Sequence, residues 1–136
     1  MKKFKPSKVI YICSPFSSYK RWPLNLIEEF TRAREVTKLI GELHDRFDHA
    51  FIGPITQSFH TKPFTKTKTG KFEHWKQVDL TFISVSDEVW VYTIPGWKES
   101  CGVTAEIEFA LMNDIPIRII DGDTKEIKRL KIKEKL

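Results

Sequence analysis

Two carboxylates and a phenol carry the reactive chemistry that this chain displays: Glu106, Asp79 and Tyr11. No Ser-His-Asp set, P-loop or GxGxxG accompanies them. A pair of acids beside a tyrosine, with no metal, suits cleavage at an acetal-like carbon, where positive charge develops in the transition state. In that scheme Glu106 attacks the anomeric carbon and forms a covalent glycosyl ester. Its place in the first turns of a helix favours the anion by up to about 1 kcal/mol, and the Tyr11 phenol holds it in line. Asp79 binds a sugar hydroxyl or handles the proton of the leaving base. Ser14 and Ser17 supply hydroxyls, and Trp97 offers a flat face to a base or sugar. Ser100 can cap the helix that carries Glu106, and such an N-terminus suits an anion, here a 5′-phosphate. Gly102 lets another molecule approach that backbone closely.

These residues need a scaffold that gathers them. Val9 to Cys13 is a β-branched run and reads as a strand buried on both faces, ending in the hydroxyl-rich loop Ser14 to Ser18. Leu24 to Leu43 reads as a helix with Leu26, Phe30, Ala33, Thr37 and Ile40 near one face, followed by a polar link from His44 to His49. Ala50 to Gly53 is a short second strand. Residues 54–73 read as a long irregular stretch, an active-site flap or a mobile loop. His74 to Val85 is a helix with Trp75, Val78, Phe82 and Val85 as its buried stripe and Asp79 at the margin. Glu88 to Ile94 is a third strand, and Pro95-Gly96 turns it into the Glu106 helix. There Val103, Ile107 and Leu111 face the sheet, and Glu106 lies about one hundred degrees round from that stripe. Ile115 to Ile120 is a fourth strand, and 124–136 is a basic C-terminal helix or tail.

This alternation predicts an α/β fold, with a mainly parallel sheet of four to five strands covered by helices on both faces. Ligands of such sheets bind outside the carboxyl ends of the strands. That rule collects Tyr11, the Ser14 to Ser18 loop, Trp97, Ser100 and the Glu106 helix at one edge. Asp87, Glu88 and Asp114 enter strands, and so belong to the opposite edge as structural turn residues.

Composition narrows the partners. A chain of 136 residues is expected to form one domain. Residues 1–8 hold four Lys and no acid, and residues 61–76 hold five Lys against one Glu, whereas Gln77 to Asp121 holds two bases and eight acids. Basic charge in the ends and one loop, beside an acidic core segment, argues against nucleic acid as the partner and for solvated charge or attraction of a small anion. The two Cys allow no disulfide framework and point to a reducing, cytoplasmic setting. No metal or cofactor is expected, since four scattered His and two Cys match no zinc spacing. No signal peptide and no apolar run of the roughly 18 residues a membrane span needs is seen.

Three stretches, VIYICSPFS, HWKQVDL and SDEVWVYTIPGWKESCGVTAEIEFA, resemble the nucleoside 2-deoxyribosyltransferase superfamily. They are closest to its small branch of unassigned function and similar to its deoxynucleoside 5′-monophosphate N-glycosidases. The resemblance implies a flavodoxin- or Rossmann-like three-layer sandwich that dimerises or forms larger homo-oligomers. It makes Glu106 the nucleophile, Asp79 the second catalytic carboxylate and Tyr11 the tyrosine beside the nucleophile. Ser100 and Gly102 fall at phosphate-side positions, and Ser14 to Ser18 at the first sugar- or phosphate-binding loop. The implied activity is N-glycosidic bond cleavage or transfer on nucleosides or nucleoside 5′-monophosphates. Two alternatives stay open: a catalytically silent module binding a nucleotide or nucleotide-sugar, and a nucleic-acid-associated protein using the Lys-rich loop and tail.

Overall fold

Alternation along the strands sorts the apolar residues into two cores, one on each face of a single sheet. The computed structural model describes residues 7–68 and 71–130. Strands β1 (Val9–Cys13), β2 (Ala50–Ile52), β3 (Glu88–Thr93) and β4 (Ile117–Asp121) run parallel, and β5 (Ile127–Arg129) pairs antiparallel with β4, in the order β2-β1-β3-β4-β5. Ile10, Ile12, Trp90, Tyr92 and Ile120 pack with Val36, Leu39 and Leu43 of α1 (Leu24–Arg46). Their neighbours Tyr11, Cys13, Val89, Val91 and Ile117 point the other way. They meet Ile83 of α3 (Phe72–Ser84) and Val103, Ile107 and Ala110 of α4 (Cys101–Met112). The protein is therefore α/β, with a mostly parallel five-stranded sheet. Among the described residues no helix is long and apolar enough to cross a membrane.

Several expected elements change. The expected irregular stretch 54–73 takes regular structure over 54–64, where α2 (Pro54–Thr61) is followed by a 3-10 turn, Lys62–Phe64; residues 69–70 lie outside the described residues. Pro54 sits in the first turn, where its missing N–H costs nothing, and Thr56 Oγ1 donates to the Gly53 carbonyl at 2.7 Å. Eight residues with only Pro54 buried are too few to show an apolar stripe. Phe59 instead packs edge-on against Phe16, with ring centroids 6.3 Å apart. The first helix runs through Gly41 to Arg46, and its buried stripe is Ala33, Val36, Leu39 and Leu43; Leu26 and Phe30 are exposed. The expected C-terminal basic helix or tail contains β5, whose Ile127 packs on the first core; residues 131–136 lie outside the described residues.

The change in α3 matters most for the site. Of the expected stripe, Phe82 packs on the second core and Trp75 and Val78 are half-buried, whereas Val85, past the end of α3, is 67% exposed; Ile83 is the buried residue of the helix, so the inward side extends from that stripe toward Ile83. Asp79, four residues before Ile83, moves with it from the margin to the inward side. At the amino edge, Asp87 accepts the Val9 N–H at 2.7 Å and Glu88 joins β1, β3 and β4, as their positions before strands led one to expect.

Two loops at the carboxyl edge are tied by one side chain. Arg32 Nη1 donates to the carbonyls of Ser17 at 2.8 Å and Phe16 at 3.3 Å, and Nη2 donates to Pro95 at 3.4 Å. Gly96 holds φ of 95°, and a Cβ there would overlap the Arg32 guanidinium. Gly96→Ala therefore combines left-handed strain with loss of the loop clamp. It should lower unfolding free energy by about 1–3 kcal/mol in urea titration; wild-type stability would show that Arg32 and the turn can be moved freely.

Candidate functional site

Alternate residues of β1 aim at one carboxylate. Tyr11 and Cys13 share a face because side chains two apart on a strand point the same way. The Tyr11 hydroxyl donates to Glu106 Oε1, and Cys13 Sγ donates to Oε2 at 3.1 Å. Glu106 is 7% exposed and lies on the buried face of α4 with Val103, Ile107 and Ala110, not beside that face. Ala110, not Leu111, continues the stripe; Leu111 is exposed. The 103, 106, 107, 110 spacing is itself helical. A charged residue in that register reads as an interruption until the donors facing it are known. Ser100 caps α4 as expected, accepting the Val103 N–H at 3.2 Å.

Electrostatics follow from burial. The interior disfavours the Glu106 anion and nearby Asp79 adds repulsion, while the donors Tyr11 and Cys13 oppose both; the result is a carboxyl pushed up to about 8. Burial raises half-buried Asp79 to about 7. Burial, and then the Glu106 charge, lift Tyr11 and Cys13 well above their ordinary values, so both keep the protons they donate. The two acids behave as a coupled pair that is not fully ionised near neutral pH.

Both acids open into one cavity of about 180 Å³. Of the residues expected in the site, Tyr11, Ser14, Ser17, Asp79, Ser100, Gly102 and Glu106 line it. Trp97 does not: it packs half-buried against the second core, with Lys98 Nζ 5.6 Å from its ring centre. Pro95-Gly96 turns the chain just before Trp97, so leaving a strand at the correct edge did not carry its ring to the cavity. Aromatic walls come instead from Phe16, Tyr19, Phe72 and Trp75. Ile55, Ser58 and Lys62 contribute from α2 and the turn after it, an element sequence periodicity did not reveal. Trp75 belonged to the expected α3 stripe, though as a core residue and not as a cavity wall; Lys76, one turn before Asp79, would have been found once Asp79 was placed on the inward side. Ser14 Oγ and Trp75 Nε1 are buried with no hydrogen-bond partner among the described residues. Among those residues, no three His, Cys, Asp or Glu side chains are grouped to hold a metal ion.

The raised acids make stability depend on pH with a definite sign. Between the unfolded carboxyl value near 4 and the folded value near 8, the folded state binds more protons, so the contribution of Glu106 falls as pH rises. Glu106→Gln cannot ionise and escapes that loss. Its melting temperature relative to wild type should therefore climb from pH 5 to pH 8.5 by about 5 °C or more. A flat difference across that range would place an already ionised Glu106 in the folded protein.

A family model described as a domain of unknown function, DUF1937, matches residues 8–121. No curated protein matches the chain. The match runs from the start of β1 to the end of β4 and so contains every residue that lines the cavity: the chain belongs to the DUF1937 family.

Proposed function

We propose that the protein cleaves or transfers the N-glycosidic bond of a nucleoside or nucleoside 5′-monophosphate through a glycosyl ester on Glu106. The observation that carries this is the pairing of two acids in one cavity, with a phenol donating to the deeper one. A carboxylate held on both oxygens by β1 donors is fixed in direction, which is what attack on a single ring carbon requires. Glu106 attacks C1′ as the C1′–N bond breaks, and the bonding pair leaves with the base. Protonated Asp79 gives that nitrogen its proton. Water, or a second base, then attacks C1′; Asp79 takes the proton and the ester bond returns its electrons to Glu106. Developing positive charge at the sugar favours the Glu106 anion, which burial alone disfavours.

The same reading covers the wider expectations. Separate cores on the two sheet faces support a Rossmann-like three-layer sandwich of the nucleoside 2-deoxyribosyltransferase kind. Exposed Tyr19, Trp22, Leu26, Ile27 and Phe30 support a homo-oligomer. The free thiols of Cys13 and Cys101 agree with a cytoplasmic setting. One observation favours a silent nucleotide-binding module instead: a carboxyl raised to about 8 is largely protonated at neutral pH, and a protonated acid is no nucleophile.

Turnover separates the two readings. Wild-type protein should release free base from a deoxynucleoside or its 5′-monophosphate. Glu106→Gln should lose about 10³-fold or more in kcat/KM, as when a reacting group is removed, and Asp79→Asn about 10²–10⁴-fold. The pH profile of kcat/KM should be a narrow bell with limbs near 7 and 8, because the acid must be protonated while the nucleophile is not. Acid quench during turnover should leave a sugar adduct on the peptide containing Glu106. Binding of substrate with no base released would leave the silent module standing.

A further inference from the structure

Four residues of α3 that line the cavity lie along one side of that helix. Phe72, Trp75, Lys76 and Asp79 follow at the three- and four-residue steps that bring helical side chains together. A second wall belongs to α4, with Gly102 and Glu106 one turn apart and Ser100 capping its start. On the glycosidic reading, Glu106 meets C1′ and Asp79 supplies the proton of the departing nitrogen. The sugar then lies toward α4, and the base lies along α3 against the rings of Phe72 and Trp75.

Hydrogen-bonding character on that side is one-directional. Trp75 Nε1 is buried with no partner among the described residues, and an indole nitrogen donates but never accepts. The Lys76 ammonium next to it in sequence also only donates. Neither group can receive a hydrogen bond from an exocyclic amino group, whereas both can give one to a carbonyl oxygen. Ser14, 7% exposed, also has an unpartnered Oγ, but a hydroxyl gives or accepts and so sets no direction. Four residues of helix separate Trp75 from Asp79 by about 6 Å along the axis. With Asp79 at the glycosidic nitrogen, Trp75 therefore falls at the far edge of the base. Thymine and hypoxanthine carry an oxygen there, and cytosine and adenine carry an amino group.

We infer that Trp75 is a specificity-determining residue that reads the far edge of the leaving base, selecting bases with a carbonyl there over bases with an amino group. This rests on the glycosidic reading of the site. Trp75 Nε1 donates to the carbonyl oxygen. As the C1′–N bond breaks, the bonding pair spreads through the base onto that oxygen until Asp79 delivers its proton, and the contact tightens. An amino group in the same place sets donor against donor and leaves the buried N–H unmet.

Two matched pairs of substrates provide the experiment: thymidine with 5-methyldeoxycytidine, and deoxyinosine with deoxyadenosine, each as nucleoside and as 5′-monophosphate. The members of a pair differ only along the far edge. Wild type should favour the oxo member by about tenfold or more in kcat/KM, as expected when one neutral hydrogen bond is made or mispaired. Trp75→Phe keeps an aromatic ring and removes the N–H; its ratio should fall to about twofold or less, through loss on the oxo member alone. Ser14→Ala should lower both members alike and leave the ratio standing. The inference is overturned if wild type treats the members equally or favours the amino one, if Trp75→Phe keeps the wild-type ratio, or if Ser14→Ala abolishes it as fully. Release of no base from any of these substrates defeats the glycosidic reading alone. Binding then decides: at millimolar nucleoside, the oxo member of each pair should raise the wild-type melting temperature more than the amino member does, and Trp75→Phe should erase the difference. Equal shifts, or none, would overturn the role of Trp75.

Discussion

A carboxyl group buried against a strand can stay there only if that strand meets its oxygens with donors, and the candidate site depends on this constraint. Glu106 is held by Tyr11 on one oxygen and Cys13 on the other, both from β1. The pairing of Tyr11 with Val89 and Cys13 with Val91 sets β1 in register with β3, the strand whose loop leads into α4. The backbone ladder and the polar contact therefore specify the same alignment. A one-residue slip of β1 would turn both donors to the other face and leave the Glu106 carboxyl without partners.

The amino edge shows the same side chain in the opposite electrical state. Glu88 is also buried, at 5% exposure, and burial alone would raise it. Lys8 at 2.8 Å, Trp90 Nε1 at 3.1 Å and Arg118 at 2.8 Å hold it down to about 2 instead. Its partners are mostly cations, so Glu88 is a permanent anion that joins three strands. Glu106 meets neutral donors and a second acid, and so titrates near neutral pH. Cations make a buried carboxylate structural, whereas neutral donors beside another acid leave it poised to exchange protons.

Loops complete the cavity and are held from outside it. Arg32, on α1, ties the loop after β1 to the loop after β3, which keeps Ser14 and Ser17 near the start of α4. Across the opening, α2 and the turn following it supply Ile55, Ser58 and Lys62. Asp79 and Glu106 sit on helices and Tyr11 on a strand, whereas Ser14 and Ser17 depend on the loop after β1. Rigid elements hold reacting groups to closer tolerance than loops do.

Residue order alone determined the α/β alternation, the parallel strands β1 to β4, the Ser100 cap and the carboxyl edge as the place where Tyr11, Asp79 and Glu106 belong. These follow from local signals: β-branched runs, a capping hydroxyl and the direction of a parallel strand. Tertiary structure decided which way each helix faces. The α3 stripe on paper ran from Trp75 through Phe82 to Val85; packing against α4 and the sheet kept Phe82 on the core, buried Ile83 and left Val85 exposed. It also turned Trp97 into the core and folded residues 54–64 into a helix and a turn, because those outcomes depend on contacts distant in sequence. The pairing of Glu106 with Tyr11 and Cys13 is of the same kind: periodicity can place a carboxyl in a buried register, but only the facing strand decides whether anything is there to receive it.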